Sequence, residues 1–281
     1  MGTVRKISRK DDIVIINPNK RQNRAVTLLK RIFFNSAAII AFLLLWEIAA
    51  RLEVVSTPAF FPPVTKIAAA LAGEAASGEL LKNILISLQR AFTGFVCGLC
   101  IAIPLGLAIG WFKNFGNFIN PLLQVFRNMP VLALLPVFIM FFGIGEVSKV
   151  VVILWGVLWY TLLNTIAGVR SVDPQLIKAA RSMGTGSLRL FTTVVLPAAL
   201  PFIFTGVRLS ATVSILILIA AEMMGANSGL GYALFFYQVN FLIPQMYAYI
   251  IVMAVLGTVL NFVLEGVERR SFRWRDESGT T

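Results

Sequence analysis

Not one histidine occurs among the 281 residues. That absence removes Ser-His-Asp and Cys-His nucleophilic machinery, histidine-ligated metal centres and the usual proton shuttle near neutral pH. Charge is scarce too, at 14% of residues, where a soluble domain carries roughly 25%. Acids are the scarcer sign, thirteen against twenty-five bases, for a net charge of +12. No Gly-x-x-x-x-Gly-Lys-Ser/Thr segment is present to cradle a nucleotide's phosphates. A soluble enzyme is excluded, and the chain is expected to be non-catalytic, with no metal and no cofactor of its own.

What is present is apolar, 58% of the chain. Crossing the hydrocarbon layer takes about 20 mainly apolar residues in a helix, and six stretches qualify: Phe33–Ala50, Ala91–Trp111, Pro121–Phe142, Val147–Val169, Leu200–Ala221 and Ile243–Leu264. The reading is an all-α polytopic membrane protein. A basic tail occupies 1–31, the membrane domain 32–266, and a second basic tail 267–281. No small-residue cleavage site follows the first span, so it is expected to stay in the mature protein.

Lys and Arg accumulate on the cytoplasmic side of short connections. Arg5, Lys6, Arg9, Lys10 and Arg31 place the N-terminal tail there, and Arg269, Arg270, Arg273 and Arg275 place the C-terminal one with it. The loop of about 170–189 carries Arg170, Lys178, Arg181 and Arg189, whereas the stretch from Glu222 to Leu242 has no base. The excess positive charge is thus a topology determinant with some attraction to anionic lipid, and no nucleic-acid partner is expected.

Cys97 and Cys100 form a CxxC inside the second span, without a second ligand pair. They read as two small side chains packing between helices. Gly94, Gly98, Ala102, Gly106 and Gly110 recur every fourth residue of the same span. This seam invites close helix contact, within the chain or with a second copy. Prolines 104, 121, 130, 136, 197 and 201 interrupt the spans, which at membrane depth is tolerated where neighbours or a watery cavity satisfy the freed carbonyls. A short surface helix is expected over Val64–Ala76, and an aromatic outer segment, Leu230–Phe241, serves as an interfacial anchor or a gate.

The loop between the fourth and fifth spans holds an amphipathic helix of its own. Asp173 is a good N-cap and Pro174 fits the first helical position. Leu176, Ile177, Ala179, Ala180 and Met183 follow at helical spacing, and Gly184 supplies a left-handed stop. Such a face calls for a groove on a soluble partner or for the lipid surface.

Residues 178–197, KAARSMGTGSLRLFTTVVLP, resemble the signature loop of permease subunits of ATP-binding-cassette importers: Glu-Ala-Ala, three residues, Gly, nine residues, Ile, one residue, Leu-Pro. Ala179, Ala180, Gly184, Leu196 and Pro197 match, while Lys178 replaces the Glu and Val194 the Ile. The segments SLQRAFTGF (87–95), RNMPVLALLPVFIMFFGIGEVSK (127–149) and AAEMMGANSGLGY (220–232) look like the nitrate, sulfonate, taurine and bicarbonate branch, most like its aliphatic sulfonate permeases. The resemblance implies the type I importer permease fold of six helices in a bacterial plasma membrane. It also implies a second permease copy, two ATPase subunits that hold ATP and Mg, and an extracytoplasmic binding protein. Pro174, Lys178, Ala179, Ala180, Arg181, Met183, Gly184, Leu196 and Pro197 would form the ATPase-coupling loop.

For the pathway, charge at membrane depth is functional by default. Arg208, within the fifth span, offers a guanidinium to an anion, or pairs with a carbonyl or Glu222. Glu222 belongs to an outer gate, and Asn128 is placed with these two as a pathway candidate. Arg90 and Arg127 are read as interfacial anchors. The substrate expected is an aliphatic sulfonate or taurine-like anion, with nitrate, bicarbonate or a pyrimidine precursor open. An ion-coupled secondary transporter is the rival, but it calls for paired intramembrane acids or His and for inverted repeats, and the spans hold almost no acid, Glu47 near an end excepted.

Overall fold

The computed structural model describes residues 37–54 and 58–271, and every regular element among them is helical. The basic N-terminal tail, the start of the first expected span (33–36) and residues 272–281 lie outside the described residues. The chain divides into two compact units, Met1–Val64 and Thr65–Thr281. In the first, helix α1 covers residues 37–51. Ile39, Ile40, Phe42, Leu45 and Ile48 are exposed on it, as lipid contact requires. Its Glu47 is held by Arg51 at 2.7 Å, one turn away.

The second unit begins with the surface helix α2, Val64–Ala76, and α3, Glu79–Trp111. Helix α3 is a dozen residues longer than its apolar run. Asn83, Ser87 and Arg90 interrupt the hydropathy without interrupting the helix, because all three are buried on one face of it. The glycine seam is intramolecular and packs on α6, Glu146–Arg170. A Cβ on Gly94, Gly98, Gly106 or Gly110 would meet Ile153, Val157, Thr165 or Val169 at 2.6–2.7 Å. Cys97 and Cys100 are both exposed, which corrects their reading as residues packed between helices: the glycines already occupy the packed face, and successive residues turn away by about 100°.

The third span is broken. Helix α4, Lys113–Arg127, and the stretch Val131–Phe142, a tight turn leading into α5 (Leu135–Phe142), meet at 85°. Pro130 explains the break: it biases the residue before it away from helix and lacks an N–H to continue the ladder. A short helix, α7, spans Pro174–Ser182. Helix α8 (Ser187–Leu190), a π-turn (Phe191–Val195) and α9 (Leu196–Gly225) then run on as one 39-residue path. Pro197 cannot donate to the carbonyl of Thr193, and the widened turn lies just before it. Helices α10, Leu230–Val239, and α11, Ile243–Ser271, close the unit. Among the described residues this gives four unbroken helices long and apolar enough to cross a membrane, or five with the bent pair.

Candidate functional site

Helix α7 forms as its sequence dictates. The Asp173 carboxylate accepts the Gln175 N–H at 2.8 Å, filling one of the donors a helix start leaves free, and Pro174 enters with a fixed φ. At the other end Gly184 takes φ 75°, where a Cβ would be strained. There the Gly184 N–H bonds to the Arg181 carbonyl at 2.9 Å and the Thr185 N–H to that of Ala180 at 3.2 Å. The apolar residues divide between two directions. Ala180 is buried and Ile177 packs with Val169, Val172 and Val195 of the chain's own core. Leu176 and Met183, 54% and 77% exposed, face outward with Ala179, Lys178 and Arg181. Leu196 and Pro197 lie at the start of α9, one π-turn further on. An apolar cleft of about 460 Å³ opens beside this loop, lined by Pro104, Leu107, Trp111, Leu188 and Phe191 among others.

At the opposite end of the bundle, the three segments that carry the wider resemblance meet in one ionic cluster. Arg90 is 4% exposed. Its Nη1 donates to the Glu222 carboxylate at 2.7 Å and to the Ser228 carbonyl at 2.6 Å, and its Nη2 to Glu146 at 2.6 Å. The fork geometry of a guanidinium suits this triple engagement. Glu222, fully buried, also accepts from the Ser87 hydroxyl at 2.8 Å and the Gly231 N–H at 2.9 Å. Ser87 and Asn83 accept the Leu230 and Gly229 N–H groups, both at 2.8 Å, so with the Gly231 N–H three donors at the start of α10 end on this cluster. Gly229 has φ 108°, and a side chain there would collide with the Glu222 carboxylate. Lys149, 5% exposed, joins through Glu146 at 3.4 Å.

Two expectations change. Arg90 is no interfacial anchor, because the two carboxylates draw it into the protein. Glu222, expected at an outer gate, is the buried counter-ion of Arg90, and the expected Arg208–Glu222 pair does not form, since the two lie 14 residues apart on α9, roughly 21 Å along its axis. The clue in the sequence was the polar series Asn83, Ser87, Arg90 at one helical face. Its partners were too distant in sequence to be read. The aromatic outer segment likewise has a specific tie: the Tyr237 hydroxyl donates to Glu74 of α2 at 2.6 Å. Burial, helped by that carboxylate, pushes Tyr237 above the ordinary tyrosine range.

Arg208 sits near the middle of α9 and is half-buried. The Thr161–Ser210 hydrogen bond at 3.0 Å and the contact of Gly206 with Asn164 fix the register of α9 on α6, which sets Arg208 at the depth of residues 161–164. Asn128 lies at the α4 break, exposed, its amide donating to the Gln124 carbonyl at 2.8 Å. Arg127 ends α4 and is exposed. Among the described residues no group of three or more His, Cys, Asp or Glu side chains is placed to hold a metal.

Residues 101–273 match the family model described as "Binding-protein-dependent transport system inner membrane component". The putative aliphatic sulfonates transport permease protein SsuC of Bacillus subtilis is 36% identical over 85% of this chain and 86% of its own length. The taurine transport system permease protein TauC of Escherichia coli K12 is 29% identical over 89% and 92%. Among solved structures, the MetNI methionine ABC transporter in inward-facing conformations aligns with a TM-score of 0.61 at 20% identity, covering 68% of this chain and 95% of that one.

Proposed function

Because this chain belongs to the binding-protein-dependent transport system inner membrane components, the permease subunits of ATP-binding-cassette importers, we propose that it forms the translocation pathway of an aliphatic sulfonate or taurine-type importer in a bacterial plasma membrane. It is a multi-pass, non-catalytic membrane subunit, and ATP hydrolysis belongs to a separate chain. The finer reading adds a second copy of the permease, two ATPase subunits and an extracytoplasmic binding protein that supplies most of the selectivity. Names of relatives support the sulfonate assignment. The secondary-transporter rival has no such support.

One observation carries the coupling assignment: α7 is capped at both ends, rooted in the core through Ile177 and Ala180, and displays Leu176 and Met183 outward. ATP-driven closure of the partner moves such a helix as a unit, since its root is packed and its tip is free to dock. Asn128 and Arg208 are assigned to the pathway. A helix break at membrane depth is tolerated where it is covered by protein or lines a watery cavity, and an intramembrane guanidinium attracts a sulfonate.

The test is to purify the tagged chain in mild detergent, identify stoichiometric partners and compare wild type with Gly184→Asp. No neighbour lies within 4 Å of a Cβ at Gly184, so the substitution strains only the turn. Wild type is expected to bring down a Walker-motif ATPase, and the variant to stay in the membrane while hydrolysis and uptake come apart. Normal uptake by Gly184→Asp would refute the docking role.

A further inference from the structure

Two buried polar atoms among the described residues lack a hydrogen-bond partner, the indole nitrogens of Trp155 and Trp159. Buried donors are nearly always satisfied, so each exception calls for an explanation. These two stand one turn apart on α6, about 13 and 20 Å from its outer end in a helix roughly 37 Å long, which is the middle of the span. Their cover is aromatic and comes from both arms of the broken third span. Phe126 of α4 meets Trp155 edge-on at 5.7 Å and stacks on Trp159 at 6.3 Å, and Phe138 of α5 meets Trp155 at 6.2 Å. The indoles themselves pack edge to face at 5.3 Å. An N–H against a ring face is a weak interaction, readily exchanged for an oxygen.

We propose that Trp155 and Trp159 form a midspan way-station for the transported oxyanion, with their N–H groups donating to its oxygens when the α4–α5 elbow swings Phe126 and Phe138 aside. The inference rests on the permease reading above and adds to it a specific pair of donors. Geometry favours this use. Indoles donate without carrying charge, so they hold an anion briefly instead of trapping it, and passage needs binding that is weak enough to leave. Arg208 lies within about one turn of Trp159 in depth, as the α6–α9 register requires, and lowers the cost of an anion at this level. The elbow is also the one bent pair among the spans described, so the helical backbone is already interrupted where the cover must move.

The experiment uses the complete transporter, reconstituted with its ATPase and binding protein, with labelled ethanesulfonate as the probe. W155F and W159F keep an aromatic ring and delete the N–H. Loss of a hydrogen bond to a charged group predicts a fall of about tenfold or more in ethanesulfonate carried per ATP hydrolysed for each variant; per-ATP values cancel differences in the amount of folded protein. Transport ratios equal to wild type in both variants overturn the proposal. As an independent readout, the 5-fluorotryptophan-labelled transporter is titrated with ethanesulfonate and with nitrate, at rest and trapped with vanadate. The Trp155 and Trp159 fluorine resonances, assigned from the two variants, are expected to shift in at least one state. If neither moves with either anion, the way-station is refuted even where wild-type uptake is intact. Wild-type protein that shows shifts but no ATP-driven ethanesulfonate uptake sinks the sulfonate assignment and leaves the indole site standing.

Discussion

Replacing Arg90 by methionine should destabilise the protein more than any other single change in the ionic cluster around Glu222. The substitution removes the only cation bonded to Glu222 among the interactions described, while that carboxylate, 0% exposed, cannot turn to water. Ser87 and the Gly231 N–H remain as donors, but they carry no charge. Breaking a buried ion pair by deleting one partner costs about 3–5 kcal/mol. At roughly 2–4 °C per kcal/mol for a chain of this size, the midpoint of thermal unfolding falls by about 6–20 °C. The Arg90–Glu146 contact contributes less of this, because Glu146 is 62% exposed and water screens its charge. Glu146→Gln therefore serves as the mild comparison. Arg90→Met combined with Glu222→Leu removes both charges at once and should be more stable than Arg90→Met alone, since an apolar pair replaces an orphaned carboxylate. The assay is thermal unfolding in one fixed detergent, followed by near-ultraviolet circular dichroism. If Arg90→Met melts within about 2 °C of wild type, or the double variant is no better than the single, the cluster is not the clasp described.

The glycine seam gives a second expectation: Gly98→Ala forces a Cβ to 2.7 Å from Val157, and overpacking of this kind costs about 1–3 kcal/mol. Val157→Ala removes the nearest atom and should restore part of the loss in the same unfolding assay; no interaction between the two substitutions would mean the helices do not meet there. The exposed thiols give the opposite expectation. Cys97→Ala with Cys100→Ala should change stability by no more than about 0.5 kcal/mol, as for other exposed positions, and reductants should leave transport unchanged. A large loss on either count would place the cysteines in a contact after all.

How far the sequence could be read depended on the distance over which each feature is determined. Helix α7 was legible to the residue at its start, and Gly184 marked its end, because a cap, a proline and a left-handed glycine act within a few positions. Hydropathy located the apolar runs but saw only that part of α3 which is apolar, and it could not register an 85° bend, although Pro130 stood at the break. Arg90 and Glu222 are 132 residues apart. Each by itself looks like an interfacial charge, and only the packing of α3 against α9 turns them into a pair. The split of α7 into a rooted and a presented side followed from the packing of Ile177 against Val169, Val172 and Val195, which periodicity alone does not supply.

The path from Ser187 to Gly225 has one more consequence. At 1.5 Å per residue it is a strut of roughly 58 Å, longer than the bilayer is thick. It begins five residues after the end of α7 and ends about one turn past Glu222. Its two extremities cannot keep separate time. Under the coupling role proposed above, a push on α7 reaches the Arg90–Glu222 clasp along one length of backbone, and the π-turn at Phe191–Val195 is the one departure from α-helical winding on the way.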